Sequence, residues 1–202
     1  WCAQLADLIQ PYIEPGDRIL EVGVGEATTL TGVIKNINQT GITALGFDVS
    51  WSRVKVGLDW LAEHSINANL FVGDLFNIPL ADNSIDVVYT SHSLEPNGGR
   101  EREAITELLR VARKAVVMIE PCYELASEQA KIRMREHGYV QGLKVVAEEL
   151  GASIVEYGLL DICGNPLNPS GVLLLMKSSP APRITLMGEG GLAMPTNRYK
   201  LN

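Results

Sequence analysis

The sequence predicts an α/β domain built on a seven-stranded, mostly parallel sheet with an antiparallel last strand and helices on both faces. Short apolar, β-rich runs alternate with stretches of helical period, the pattern of strand-helix units that feed a parallel sheet. The connection between the last two strand runs, residues 161–171, is rich in Gly, Pro and Asn and has no helical period. Those two strands are therefore expected to pair as an antiparallel hairpin. The 202 residues have the length of one domain, and a hydrophobic content of 46% is enough for its core.

In chain order, Leu5, Leu8, Ile9 and Ile13 mark an amphipathic helix that stops near Pro11 and Pro15-Gly16. Strand runs follow at 18–22, 42–47, 69–72, 85–90, 115–120, 153–160 and 172–177. Between them, Leu30, Val33, Ile34 and Ile37 share one helix face, and Val54, Leu58 and Leu61 a second. Ile105, Leu108, Leu109 and Val111 give a third, and Leu143, Val146, Ala147 and Leu150 a fourth. Residues 1–178 are expected to form the domain. Ser178-Ser179-Pro180-Ala181-Pro182 then opens a linker, and 179–202 reads as a C-terminal arm; a further domain or partner could attach at either terminus.

A net charge of −7 argues against a large phosphate-binding surface, so nucleic acid becomes the less favoured partner. The local basic run Lys131, Arg133 and Arg135 is the one counter-indication. Cys2, Cys122 and Cys163 are far apart and form no C-x-x-C pair, and no His/Asp/Glu cluster has ligand spacing. No metal and no disulfide framework are expected, and a reducing cytoplasm fits. No apolar run approaches the roughly 20 residues needed to span a bilayer.

The chemistry is concentrated at successive strand ends. The first strand runs into Glu21-Val22-Gly23-Val24-Gly25-Glu26-Ala27 and then a helix. Glycines there let backbone approach a ligand, and the free N–H groups of a new helix face an anion. Asp48 closes the second strand, where a carboxylate can accept both hydroxyls of a ribose. Asp74-Leu75 follows the third, where a carboxylate can accept from an adenine amine. Each Asp alone could be a helix N-cap or turn residue, the commoner role for Asp at such points. Three consecutive strand ends with matching chemistry are harder to assign to chance.

With these segments, Ile78-Pro79-Leu80-Ala81-Asp82-Asn83-Ser84-Ile85-Asp86-Val87-Val88-Tyr89 and Glu107-Leu108-Leu109-Arg110-Val111-Ala112-Arg113, the chain resembles the class I S-adenosylmethionine-dependent methyltransferases. The nearest likeness is to the broad group acting on small molecules, ubiquinone precursors and sugars. The resemblance covers roughly residues 1–178 and implies a Rossmann-like fold. It implies that Glu21, Gly23 and Gly25 hold the methionine end of the cofactor, that Asp48 binds the ribose and Asp74 the adenine amine with Leu75 beside it, and that Ser91 lies under the methionine amine. Ala27 stands where many members have a third glycine, Glu95-Pro96 replaces a frequent Glu-His, and the usual Pro-Gly-Gly is missing at Arg113-Lys114.

His92, just past the fourth strand, is the candidate general base, since imidazole titrates near neutral pH; a structural role beside the cofactor is as good a reading. His137, in Arg-Glu-His-Gly, reads as a helix end. The acceptor wall is expected from 91–97 and 120–139. The expected reaction is methyl transfer to an O, N or C nucleophile. Three rivals stand beside it: a tRNA or protein methyltransferase, an oxidoreductase with a nicotinamide cofactor, whose fingerprint wants Gly or Ala at Thr28, and a non-catalytic cofactor-binding domain.

Overall fold

The computed structural model describes residues 1–161 and 164–177. The expected arm at 179–202 and Cys163 lie outside the described residues. Helix α1 (Cys2–Ile9) buries Leu5, Ala6 and Ile9 and tightens into a 3-10 turn at Gln10–Tyr12, where Pro11 cannot continue the helical hydrogen bonds. The sheet follows: β1 (Arg18–Val22), β2 (Thr43–Asp48), β3 (Ala68–Val72), β4 (Ile85–Ser91), β5 (Ala112–Pro121), β6 (Ser153–Leu159) and β7 (Ser170–Met176). Its helices are α2 (Thr28–Asn36), α3 (Trp51–Glu63), α4 (Glu101–Val111), α5 (Glu128–Glu136) and α6 (Leu143–Glu149).

The strand order is β3-β2-β1-β4-β5-β7-β6. β1 pairs parallel with β2 on one side and β4 on the other, and β7 runs antiparallel between β5 and β6. The seven expected strands and the antiparallel hairpin are all present. β5 begins three residues earlier than its apolar run, because α4 ends at Val111 and Ala112 already pairs with Ile85 across an irregularity in register.

Two apolar layers enclose the sheet. Leu5, Ile9, Leu30, Val33 and Leu61 cover one face; Ile105, Leu108, Val111 and Ala147 cover the other. The inner strands β4 and β7 are buried almost throughout, and the apolar runs Val87-Val88-Tyr89 and Val172-Leu173-Leu174-Leu175 lie within them. The helix that periodicity missed is α5. It buries only Ala130 and Met134, in a small satellite cluster with Ala126, Tyr123 and Tyr139, and it is marked by Ser127, whose hydroxyl accepts from Ala130 N–H at 3.2 Å.

Because β7 is central, truncation inside it should be felt globally. Leu174→Ala, at a site 1% exposed, is expected to lower the urea midpoint by the equivalent of about 2–5 kcal/mol with little change in slope. Val155→Ala on the outer strand, 54% exposed, should stay within about 0.5 kcal/mol. Equal effects from the two variants would contradict the placement of β7.

Candidate functional site

The order of the strands reverses between β1 and β4, so their chains leave toward opposite faces and open a crevice at their carboxyl ends. Out of β1 the backbone turns through left-handed conformations at Gly23 (φ +71°), Gly25 (φ +54°) and Ala27 (φ +58°). A β-carbon on Gly23 would collide with Ser93, so the glycine lets the loop lie directly against the segment after β4. Size is only part of the story at Ala27. Its left-handed backbone costs an L-residue about 1–2 kcal/mol, which accounts for a glycine preference at this position.

Asp48 ends β2 inside the crevice, 7% exposed. Its carboxylate accepts from Gly25 N–H at 3.0 Å and Ser50 N–H at 2.8 Å, so it ties the glycine turn to the start of α3. Arg53, one turn into α3, brings Nη1 to 3.9 Å from Asp48 and covers Gly25. Asp74 lies two residues past β3, exposed, and caps its own turn through Phe76 N–H at 2.9 Å. Beside it, the Arg100 guanidinium stacks 3.3 Å over the Phe76 ring. Sequence reading gave Arg53 and Arg100 no role, since neither carries a local motif.

Glu21 lies at the floor, 2% exposed, and accepts from the Tyr89 hydroxyl at 3.0 Å. Burial dominates its chemistry. It pushes the carboxyl from 4.5 up to about 8, against the opposing hydrogen bonds from Tyr89 and the Leu30 backbone.

On the far wall, Ser91 is the last residue of β4 rather than the first beyond it. His92 follows with φ +54°; its Nδ1 is 2.7 Å from Glu95 Oε2 and its Nε2 2.7 Å from Ser170 Oγ. Glu120, at the end of β5 and fully buried, accepts from Ser93 N–H at 3.1 Å and Glu95 N–H at 3.0 Å. Burial raises its pKa, while the Thr90 side chain, the nearby His92 and the Leu94 and Ser93 backbone act the other way. The post-β4 segment is therefore built around a carboxyl group that sequence reading used only as a boundary of the acceptor wall. The available signal was a lone acid closing an otherwise apolar strand.

The resulting cleft measures about 680 Å³ and is lined by Glu21, Gly23, Asp48, Asp74, Leu75, Ser91 and His92, within the usual range for a small-ligand site. Gly25 stands behind Asp48 and does not line it. His137 is away from the cleft, exposed at the end of α5 with Nδ1 on the Arg133 carbonyl at 2.9 Å, the helix-end role read from Arg-Glu-His-Gly. Among the described residues, no group of three or more His, Cys, Asp or Glu could hold a metal ion, Cys2 and Cys122 are free, and no helix is long and apolar enough to cross a membrane.

An α/β sheet with this order, a glycine turn after β1 and acids at the next two strand ends defines a nucleotide-cofactor-binding domain. The family comparison then matches residues 19–115 to a model described as a methyltransferase domain. Residues 19–115 thus match a methyltransferase domain, on a fold shared with S-adenosylmethionine-dependent methyltransferases.

No curated protein matches by sequence. Among solved structures, an S-adenosylmethionine-dependent methyltransferase from Aquifex aeolicus superposes with a TM-score of 0.65 at 16% identity, covering 84% of this chain and 87% of that one. Magnesium protoporphyrin IX methyltransferase from Synechocystis PCC 6803, with bound SAH, gives 0.67 at 15%, covering 87% and 83%. The [4+2]-cyclase SpnF gives 0.70 at 16%, covering 88% and 82%. At such identities the likeness is one of fold, and the cyclase illustrates that a fold does not dictate a reaction.

The buried acid at the floor has a measurable signature. A carboxyl at 4.5 when unfolded and about 8 when folded binds more protons in the folded state between those values. Stability therefore falls as pH rises through that window. Glu21→Gln should remove its share, so the variant gains on the wild type from about pH 5 to 8 and by a constant amount above. Thermal melts of the cofactor-free protein across that range test this; a difference independent of pH would show Glu21 ionised throughout.

Proposed function

We propose that the domain, residues 1–178, transfers the methyl group of S-adenosylmethionine to an O, N or C nucleophile of a small or medium-sized acceptor. The observation that carries this is the convergence of Glu21, Asp48 and Asp74, from three consecutive strand ends, on one cleft whose opposite wall presents His92. The cofactor's hydroxyl and amine groups suit these acceptors. Asp48 is oriented by Gly25 and Ser50 and can accept from ribose hydroxyls, Asp74 with Leu75 takes the adenine end, and Glu21, Ser91 and the Gly23 backbone take the methionine end. Above Glu21, a cationic ligand end favours the carboxylate that burial alone disfavours.

The bound cofactor supplies an electrophilic methyl group on a sulfonium. The protein's part is orientation and exclusion of water, and good alignment alone is worth about 7–11 kcal/mol of barrier. Where the acceptor carries a proton to be lost, His92 on the cleft wall receives it.

A small acceptor is supported by the cleft volume and by the net charge of −7. Similar folds include enzymes named for magnesium protoporphyrin IX and geranyl diphosphate. The basic run offers less to nucleic acid than its sequence suggests. Lys131 pairs with Glu128 at 3.0 Å, Arg135 binds the Tyr123 hydroxyl, and Arg133 lies over the Tyr139 ring.

Calorimetry should detect S-adenosylmethionine and S-adenosylhomocysteine but not NAD. Asp48→Ala should weaken both by about 1.5–3 kcal/mol, the scale of hydrogen bonds involving charged groups. Unchanged affinity in a folded variant would remove Asp48 from the site. On an acceptor identified by incorporation of labelled methyl from a metabolite mixture, His92→Ala should lower turnover by roughly 10²–10⁴ with cofactor affinity retained. Joint loss of affinity and turnover would instead assign His92 a structural role.

A further inference from the structure

Gly25 belongs to the turn after β1 without lining the cleft, and the space left by its missing side chain is taken by Arg53. A β-carbon built on Gly25 would fall 2.8 Å from the Arg53 Cζ and closer still to Nη2. The guanidinium therefore rests on the bare α-carbon of the turn, where any larger residue would push it away. From that seat Arg53 lines the cleft, with its side chain more than half exposed.

The place of Arg53 in α3 runs against helix electrostatics. Ser50 is the N-cap and takes the Arg53 backbone N–H on its hydroxyl at 3.4 Å. Arg53 thus falls in the first turn, where the partial positive charge of the helix end disfavours a cation. Asp48 is the compensating charge, but the contact is loose. Nη1 is 3.9 Å from Oδ2, beyond hydrogen-bonding distance. Among the described residues the guanidinium donates no hydrogen bond to the protein. Arg100, the other arginine on the cleft, is committed to Glu103 and to the Phe76 ring. Arg53 instead holds a fork of N–H donors beside a buried acid, uncommitted.

The open positions on Asp48 complement that fork. A carboxylate offers about four lone-pair sites on its two oxygens. Ser50 N–H takes one on Oδ1 and Gly25 N–H one on Oδ2, which leaves about one on each for hydroxyl donors. Because Arg53 stops short of a hydrogen bond, it attracts Oδ2 without using the remaining site. A hydroxyl that donates there still has lone pairs of its own, and the uncommitted donors beside it are those of Arg53.

We propose that Arg53 is the second half of the ribose site, which rests on the reading of Asp48 as the ribose acid: one hydroxyl donates to Asp48 Oδ2 and accepts from the Arg53 guanidinium. The pair reads a single oxygen as donor and acceptor together. Arg53 is therefore a specificity residue. A hydrogen in place of that hydroxyl satisfies neither partner, and a methyl ether can accept but has nothing to donate. Gly25 serves this site twice, by donating to Asp48 and by leaving room for Arg53.

The test needs no acceptor. Calorimetry on the wild type and Arg53→Met compares S-adenosylhomocysteine with its 2′-deoxy and 3′-deoxy counterparts, with thermal melts to establish that the variant folds. Arg53→Met should weaken S-adenosylhomocysteine by roughly tenfold or more, the scale of one hydrogen bond from a charged group. One of the two deoxy ligands should bind the wild type more weakly and be indifferent to the substitution, since its contact with Arg53 is already gone. Equal losses for all three ligands would mean that Arg53 acts through general charge, and would overturn the proposal. So would unchanged or tighter binding of S-adenosylhomocysteine in Arg53→Met, the result expected if the guanidinium merely covers Asp48 and must move aside. Binding lost in Asp48→Ala but kept in Arg53→Met refutes Arg53 alone, whereas a wild type that binds none of the three refutes the cofactor reading beneath it.

Discussion

The hydrogen bond from Tyr89 to Glu21 spans the point on which the architecture turns. The two residues are register partners on β1 and β4, the adjacent strands between which the order of the sheet reverses. Everything that makes a cleft follows from that reversal. The chain leaves β1 toward α2 and leaves β4 toward α4 on the other face, and the gap between the departing segments cannot be filled by either. Glu21 sits at the bottom of that gap in a low-dielectric setting. Tyr89 satisfies part of its hydrogen-bonding need without neutralising it, which leaves a group ready to respond to positive charge above.

Three carboxyl groups around the cleft show how environment divides one chemistry into three tasks. Glu21 is dominated by burial, which raises its pKa to about 8. Glu120 is equally buried but holds two backbone N–H groups, so it works as the pin of the post-β4 segment. Glu95 is half-buried, supplied with donors from three side chains and ionised, so it orients His92. The sequence shows three glutamates; their differences come wholly from what surrounds them.

That contrast explains what could be read in advance. The seven strands were legible because short β-rich, mostly apolar runs are separated by helical or turn-rich stretches, and the strand-end acids because a glycine turn and Asp48 are close to the elements that place them. Helix α5 showed only its C-terminal end, at His137, since a helix that buries just Ala130 and Met134 has little periodic signal. The left-handed backbone at Ala27 and His92 is invisible in residue type. The Ser170 contact to His92 joins residues 78 apart in the chain, and no local pattern in the turn-rich run before β7 announces it.

The position of β7 also bears on how the molecule comes into being. A ribosome delivers β7 last among the seven described strands, yet it lies between β5 and β6 and forms, among the described residues, the only strand contact that β6 has. Until those residues emerge, β5 is an unpaired edge and β6 has nothing to join, a state prone to wrong pairing. Ser170 arrives with the same strand. The nascent chain therefore makes β1 to β4, whose ends line the cleft, before the strand that joins β5 to β6 and brings Ser170 to His92, and a prematurely terminated product would lack the pairing that holds the far half of the sheet together.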